Sequence, residues 1–182
     1  EHVDFLAADA HKWLLGPCAS GIFHVRKALQ DRLRPTVFGW HNVRCPNYVA
    51  QEQLIHPPDA RRYEAGSANL VGLAGLEAAL ELILEVGVES IAAELLRKRA
   101  WLVPALEAKG CTVLEAAAPP EHASGIVTFH QPGIDLPALH QKLADAHIIT
   151  SLRADRAGQR YIRLSPHFYN TDADLHRVVE LL

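Results

Sequence analysis

The sequence predicts a mixed α/β chain built in two pieces, an α/β part over residues 1–86 and a small α+β part over residues 87–182. Three observations carry that expectation. Short apolar runs at residues 3–8 and 21–25 have the length of strands and are followed by turn residues or a charged segment. From residue 69 to residue 109 apolar side chains recur at helical spacing. Beyond Gly110 the pattern changes to short strands alternating with helices, which bury their apolar faces by packing in layers.

Taken in order, residues 3–8 and 21–25 are strands. Residues 26–33 read as helical and stop before Pro35, because a proline disfavours helical geometry at the residue before it. Residues 35–62 hold Pro35, Gly39, Pro46, Pro57 and Pro58 with no sustained period, so they form a long loop, a kind of segment that often carries function or contacts. Asn69 suits the N-cap of a helix running to Val86 and closed by Gly87, with Leu73, Leu76, Leu80 and Ile83 on its apolar face. A second helix covers residues 90–109, with Pro104 expected to kink it and Gly110 to close it. Strands follow at residues 111–114 and 126–129, joined by a short Ala/Pro connector at 115–120. Asp135 caps a helix to about Ala146, and strands are expected at residues 148–151 and 161–164. Thr171 begins the last helix, with Asp174 three residues on approximating a capping box. No internal repeat is visible.

Composition narrows the function classes. With 182 residues, 49% of them hydrophobic, the chain can bury one sizeable core or two small ones. A net charge of -3 leaves no basic stripe, which argues against a nucleic-acid partner. No apolar stretch is long enough to span a bilayer and no signal peptide opens the chain, so a cytoplasmic, membrane-free location is expected. Cys18, Cys45 and Cys111 have no CxxC spacing and read as reduced, small hydrophobic residues. The histidines form no HExxH motif or Cys/His cluster; His140 and His147 lie two helical turns apart, too far to chelate together, so no metal is expected. The chain lacks methionine and opens within a strand, and is therefore expected to be a piece of a longer protein.

Lys12 is the residue with the most specific chemical promise. It follows Val3-Asp4-Phe5-Leu6-Ala7-Ala8-Asp9-Ala10-His11 and precedes Trp13-Leu14-Leu15-Gly16-Pro17, a strand end followed by an apolar turn. That setting predicts a lysine sheltered in a pocket, where desolvation disfavours the ammonium. A neutral amine is what Schiff-base chemistry with an aldehyde requires. The alternative is a stem laid along apolar surface with the amine in water.

The string around Lys12, continued by Ser20-Gly21-Ile22-Phe23, resembles the cofactor-lysine segment of the class V aminotransferase family. Two more segments resemble that family's motifs in the same order. They are Arg62-Tyr63-Glu64-Ala65-Gly66-Ser67-Ala68-Asn69 and Ile162-Arg163-Leu164-Ser165-Pro166-His167-Phe168-Tyr169-Asn170-Thr171. The resemblance spans nearly the whole chain and implies the C-terminal portion of a type I pyridoxal-phosphate-dependent transferase fold, the end of the large α/β domain (residues 1–86) plus the small α+β domain (residues 87–182). It also implies that the residues stacking on the cofactor and pairing with its ring nitrogen precede residue 1.

Residue roles follow from the resemblance. Lys12 holds pyridoxal 5'-phosphate and moves the substrate's α-proton. His11 donates to the cofactor phosphate, or else packs as an ordinary histidine. Asp9 departs from the family pattern: a carboxylate repels a phosphate, so it either points away or is bridged through His11 or a cation. Ser67 reaches the phosphate of a neighbouring subunit, which makes the protein a homodimer; the competing reading is a plain turn before a helix. Arg163 binds the α-carboxylate of an amino-acid substrate. The strand pattern supports it, since alternation turns Arg163 away from Ile162 and Leu164, and a planar guanidinium grips a carboxylate bidentately; a structural salt bridge is the alternative. Ser165, Tyr169 and Asn170 shape the turn after the strand.

The implied activity is that of a pyridoxal-phosphate enzyme acting on an amino acid through a lysine Schiff base, by transaminase, lyase or epimerase chemistry. It is the activity of the parent protein; this fragment alone is expected to be inactive. Residues 151–160 contain no cysteine, which disfavours persulfide-forming desulfurase chemistry. The strings around Lys12 and Arg163 lean toward the epimerase-like or aminotransferase branch. The alternatives are a cysteine desulfurase or selenocysteine lyase type of lyase, or a non-catalytic binding module in the isolated fragment.

Overall fold

Asp9 and Gly21 face each other at one end of an antiparallel hairpin, β1 (Phe5–Asp9) paired with β2 (Gly21–Val25), whose register runs back to Phe5 opposite Val25. The computed structural model describes residues 2–45, 49 and 51–182. The chain divides into two units, Glu1–Glu85 and Val86–Leu182.

In the first unit the hairpin is followed in chain order by 3-10 turns at Lys27–Leu29 and Ala60–Tyr63 and then helix α1 (Leu70–Val86). The helix expected at residues 26–33 is a single 3-10 turn, Lys27–Leu29. Its continuation is pre-empted by tertiary donors. Arg62 Nη1 and Tyr63 Oη donate to the carbonyl of Gln30, at 3.0 and 3.1 Å, and Tyr63 Oη also donates to that of Leu33 at 3.0 Å. Those acceptors are therefore engaged by side chains rather than by a helical ladder. Among its described residues the long loop is irregular up to the 3-10 turn at Ala60–Tyr63; Pro46, Asn47, Tyr48 and Ala50 lie outside the described residues. The loop is organised by buried Asn42, which accepts from Gly39 N and donates to the carbonyls of Val37 and Arg62. A buried amide with every partner in place is a stabilising centre rather than a cost.

Helix α1 begins where expected. Asn69 Oδ1 accepts from Gly72 N at 3.1 Å, satisfying one of the free amides of the first turn. Its buried face is Gly72, Leu76, Ala79 and Ile83. Leu73, expected on that face, is exposed.

The second unit is a helix-backed sheet. Its elements are α2 (Val88–Ala108), β3 (Thr112–Val113), β4 (Val127–His130), α3 (Leu136–Asp145), β5 (Ser151–Ala154), β6 (Arg160–Leu164) and α4 (Asp172–Glu180). The strand order is β3-β4-β6-β5, every pair antiparallel. Val113, Val127, Phe129, Ile162 and Leu164 point to one face and join Leu102, Leu106, Leu139, Leu143, Leu175 and Val178 of the helices in one buried cluster. Such a sheet leaves its other face free for polar side chains. Pro104 lies within α2, which continues past it to Ala108.

The strand expected at residues 148–151 forms three residues later, as β5. Residues 147 and 148 instead complete the end of α3: His147 N donates to Ala144 O and Ile148 N to Leu143 O, both at 2.9 Å, with His147 at φ 61. This is a Schellman closure with a left-handed histidine where glycine is usual. No helix among the described residues is long and apolar enough to cross a membrane.

Candidate active site

The first unit supplies a tight turn at the end of β1. Ala10 is fully buried, and its backbone both donates to Ser20 O and accepts from Gly16 N at 2.8 Å. Leu15 N donates to Lys12 O at 3.1 Å, with Leu15 at φ 58. A side chain at residue 16 would meet Ala10 Cβ at 2.9 Å and Leu76 Cδ1 at 3.3 Å, so only glycine lets the turn close onto α1. Asn69 adds a second tie, its Nδ2 donating to Ala19 O at 3.2 Å while its Oδ1 caps α1. The family-like segments around Lys12 and Asn69 are thus one packed assembly.

On this turn Lys12 points outward. Its side chain is 69% exposed and is ion-paired with Asp9. The expectation of a sheltered amine is therefore not met within this unit: α1 covers the Ala10 and Gly16 side of the turn, and Lys12 stands on the other. The cation that meets Asp9 is Lys12 itself. The Lys12 hydrogen bond, and then its charge, hold the Asp9 carboxyl below the usual carboxylate range. His11 lines an open groove of about 460 Å³ together with Asp9, Ser20, Gly21 and Phe23. That volume falls within the usual range for small-molecule and cofactor sites. An amine at the end of a pinned turn, beside an imidazole at a groove, fits one wall of a site for a phosphorylated aldehyde; the carboxylate of Asp9 fits only while Lys12 neutralises it. Ser67 is exposed in the irregular chain before α1.

The second unit supplies Arg163. Strand alternation places Ile162 and Leu164 in the core and Arg163 on the other face, opposite Thr128 of β4 and Ser151 of β5. Its Nε is buried without an acceptor among the described residues. No ion pair among the described residues includes it. A buried guanidinium N–H lacking an acceptor is costly in a finished site.

The turn after β6 is held from behind. Asn170 Oδ1 accepts from His167 N at 2.9 Å, and Asn170 N donates back to His167 O at 3.2 Å. Thr171 and Asp174 complete the expected capping box. Lys98 on α2, its side chain only 2% exposed, donates to Phe168 O at 3.1 Å and pairs with Glu94 at 3.1 Å. Sequence reading missed Lys98, although it shares the helical stripe of Ile91, Leu95 and Leu102. A lysine on an apolar stripe was the available signal.

Between β5 and β6 the chain makes a tight hairpin. Asp155 Oδ1 accepts from Ala157 N and Gln159 N, both at 2.9 Å, and Tyr161 Oη donates to Asp155 Oδ2 at 3.2 Å. This hairpin contains no thiol. Cys18 and Cys45 are exposed on the other unit, and burial raises the pKa of Cys111. Among the described residues no group of three or more His, Cys, Asp or Glu is placed to hold a metal ion.

Comparison with known proteins adds three findings. The family model for class-V aminotransferases matches residues 2–178. Among curated relatives, isopenicillin N epimerase of Streptomyces clavuligerus is 26% identical over 98% of this chain and 46% of its own length. An uncharacterized aminotransferase of Bacillus subtilis is 29% identical over 98% and 44%, and a cysteine desulfurase of Synechococcus elongatus 28% over 94% and 28%. Among solved structures, the apo cysteine desulfurase of Thermococcus onnurineus superposes with a TM-score of 0.87 at 22% identity, over 99% of this chain and 46% of that one. The cystine C-S lyase C-DES, in complex with cysteine persulfide, gives 0.81 at 25% identity, over 99% and 46%. The fold is that of the C-terminal half of these enzymes, and the chain spans about half the length of the epimerase, the Bacillus subtilis aminotransferase and the two solved structures.

Proposed function

Because the chain belongs to the class V aminotransferase family, whose members use pyridoxal phosphate, we propose that it is the part of an amino-acid-transforming enzyme that bonds this cofactor through Lys12 and holds the substrate carboxylate with Arg163. The observation that carries this reading is the unsatisfied, buried Nε of Arg163 on a strand whose neighbours are core residues. A structural salt bridge would have supplied that N–H with an acceptor; a substrate carboxylate supplies it on binding.

Pyridoxal phosphate, when bound, contributes an aldehyde for amines and an electron-withdrawing ring. The chain's own residues do the rest. Lys12 Nζ would hold the cofactor's aldehyde group and, as a free amine, would carry the proton at the substrate's α-carbon. Holding it would require Lys12 to leave its ion pair with Asp9. His11 orients the phosphate from the groove, and Arg163 fixes the α-carboxylate. Ser67, exposed ahead of α1, would serve the phosphate site of a second copy in a homodimer. Residues 1–86 then close a larger cofactor domain and residues 87–182 form the small domain. The exposed apolar side chains of the hairpin, Phe5, Leu6, Ile22 and Phe23, suit such a buried setting. The protein acts on small molecules in the cytoplasm, with no role for nucleic acid or membrane.

For the reaction, the thiol-free β5–β6 hairpin favours transamination or epimerisation over persulfide formation on a cysteine. The likeness to C-DES favours a carbon–sulfur lyase as the second reading. Release of cysteine persulfide from cystine, or of sulfide from cysteine, against exchange of the α-proton without release, separates the two.

The reading is tested on the cofactor-loaded protein by borohydride reduction and peptide mapping. The reduced cofactor is expected on Lys12, and Lys12→Ala is expected to lose the long-wavelength cofactor band. An unchanged band in that variant overturns the assignment.

A further inference from the structure

Arg163 does not stand alone on the free face of the sheet. The register sets Ser151 opposite Arg163 and Arg153 opposite Tyr161, so Arg153 and Arg163 occupy diagonal positions on adjacent strands. Leu152 and Ile162 between them pack toward the core, which puts both arginines on the same, outer side. Diagonal neighbours across an antiparallel pair lie about 7–8 Å apart, within reach of two long side chains.

Among the described residues the arginines of this unit fall into two groups, those on the helices with acceptors and those of the β5–β6 hairpin without. Arg97 is matched by Glu94 and Asp172, Arg99 by the carbonyls of Glu115 and Ile126, and Arg177 by that of Ala146. Neither Arg153 nor Arg163 has an acceptor for its guanidinium among the described residues. On the same hairpin, the Asp155 carboxylate accepts from two backbone amides and the Tyr161 hydroxyl. Arg160 shares the parity of Ile162 and belongs to the other face, and Arg156 lies in the turn. Two like charges on one face repel unless anions lie between or upon them.

We propose that Arg153 is a specificity residue that binds an acidic group at the end of the substrate's side chain, so that the enzyme prefers amino acids with a second anion. This rests on the reading of Arg163 as the α-carboxylate site. One molecule carrying both acids satisfies both forks: the α-carboxylate meets Arg163, including its orphaned Nε, and the distal acid meets Arg153, where the planar guanidinium suits a carboxylate or a phosphate.

The test is an absorbance titration of the cofactor band in the loaded protein. L-glutamate is set against L-glutamine, L-aspartate against L-asparagine, and O-phospho-L-serine against L-serine. The wild type is expected to bind at least one acid about tenfold more tightly than its neutral partner, the scale of one charge-assisted hydrogen bond. Whichever acid gains most identifies carboxylate or phosphate as the distal group. In Arg153→Gln the acid-to-neutral ratio is expected to fall to about one, and in Arg153→Lys to an intermediate value because the charge remains while the fork is lost. Because Arg153 is exposed, both variants should keep the wild-type melting midpoint. A wild type without acid preference, or a preference that persists in Arg153→Gln, overturns the role of Arg153 and leaves that of Arg163 standing. If no amino acid perturbs the band, the reading of Arg163 fails and this proposal fails with it.

Discussion

Asn69 shows how much one side chain can decide. Its carbonyl oxygen starts α1, and its amide nitrogen fastens the turn that carries Lys12. The sequence reveals the first role, because asparagine before an apolar helical run is a cap signal. The second depends on a partner 50 residues away and is invisible in the string. Arg163 makes the same division. Alternation with Ile162 and Leu164 assigns its face, but the unsatisfied Nε is a fact of packing. Since the site needs a planar fork and not only a charge, Arg163→Lys is expected to raise KM about tenfold or more while cofactor absorbance stays intact. Steady-state kinetics alongside cofactor titration checks this, and a variant with unchanged KM removes Arg163 from the substrate site.

At the scale of elements, two helix ends carry opposite lessons. α2 closes at Gly110, φ 81, with Gly110 N donating to Glu107 O and Cys111 N to Leu106 O, and the glycine announces it. α3 closes by the same hydrogen-bond pattern around His147, whose identity gives no warning, and the strand expected there is displaced. The contact of α2 with the segment after β6 has a pH signature. Hydrogen bonds from Arg97, then Lys98, hold the Glu94 carboxyl at about 2, against an ordinary value of 4.5. Asp172 and Asp174 are lowered as well, by Arg97 and by the Thr171 backbone amide respectively. A carboxyl lowered in the folded state takes up its proton more readily when the chain unfolds. The stabilisation is therefore complete above about pH 4.5 and drains away as pH falls toward about 2. Thermal melts across that window are expected to show a steeper decline for the wild type than for Glu94→Gln; equal slopes would count against the network.

At the scale of the molecule the two units differ in what they bury. The central cluster of the second unit draws all its buried members from residues 102–178, on helices α2, α3 and α4 and strands β3, β4 and β6, with Cys111 between α2 and β3. Residues 86–182 expressed alone are therefore expected to give a single cooperative thermal transition by circular dichroism. A gradual, featureless melt would show that the cluster does not suffice. The first unit is different: its hairpin keeps Phe5, Leu6, Ile22 and Phe23 exposed, and a two-stranded hairpin is marginal without a partner surface.

The amino-acid order by itself determined the mixed α/β class, most element positions, both glycine closures, the Asn69 and Thr171 caps and the face on which Arg163 lies. These depend on neighbours a few residues apart, where hydrogen-bond geometry and side-chain alternation are local. Tertiary structure alone decided that residues 26–33 form one turn, that Lys98 is buried under the Arg163 turn, that Arg153 shares a face with Arg163, and that Lys12 meets Asp9 rather than a pocket. Each depends on groups brought together from distant parts of the chain, or on which side of a turn is covered, and burial and pairing of that kind are properties of assembled surfaces.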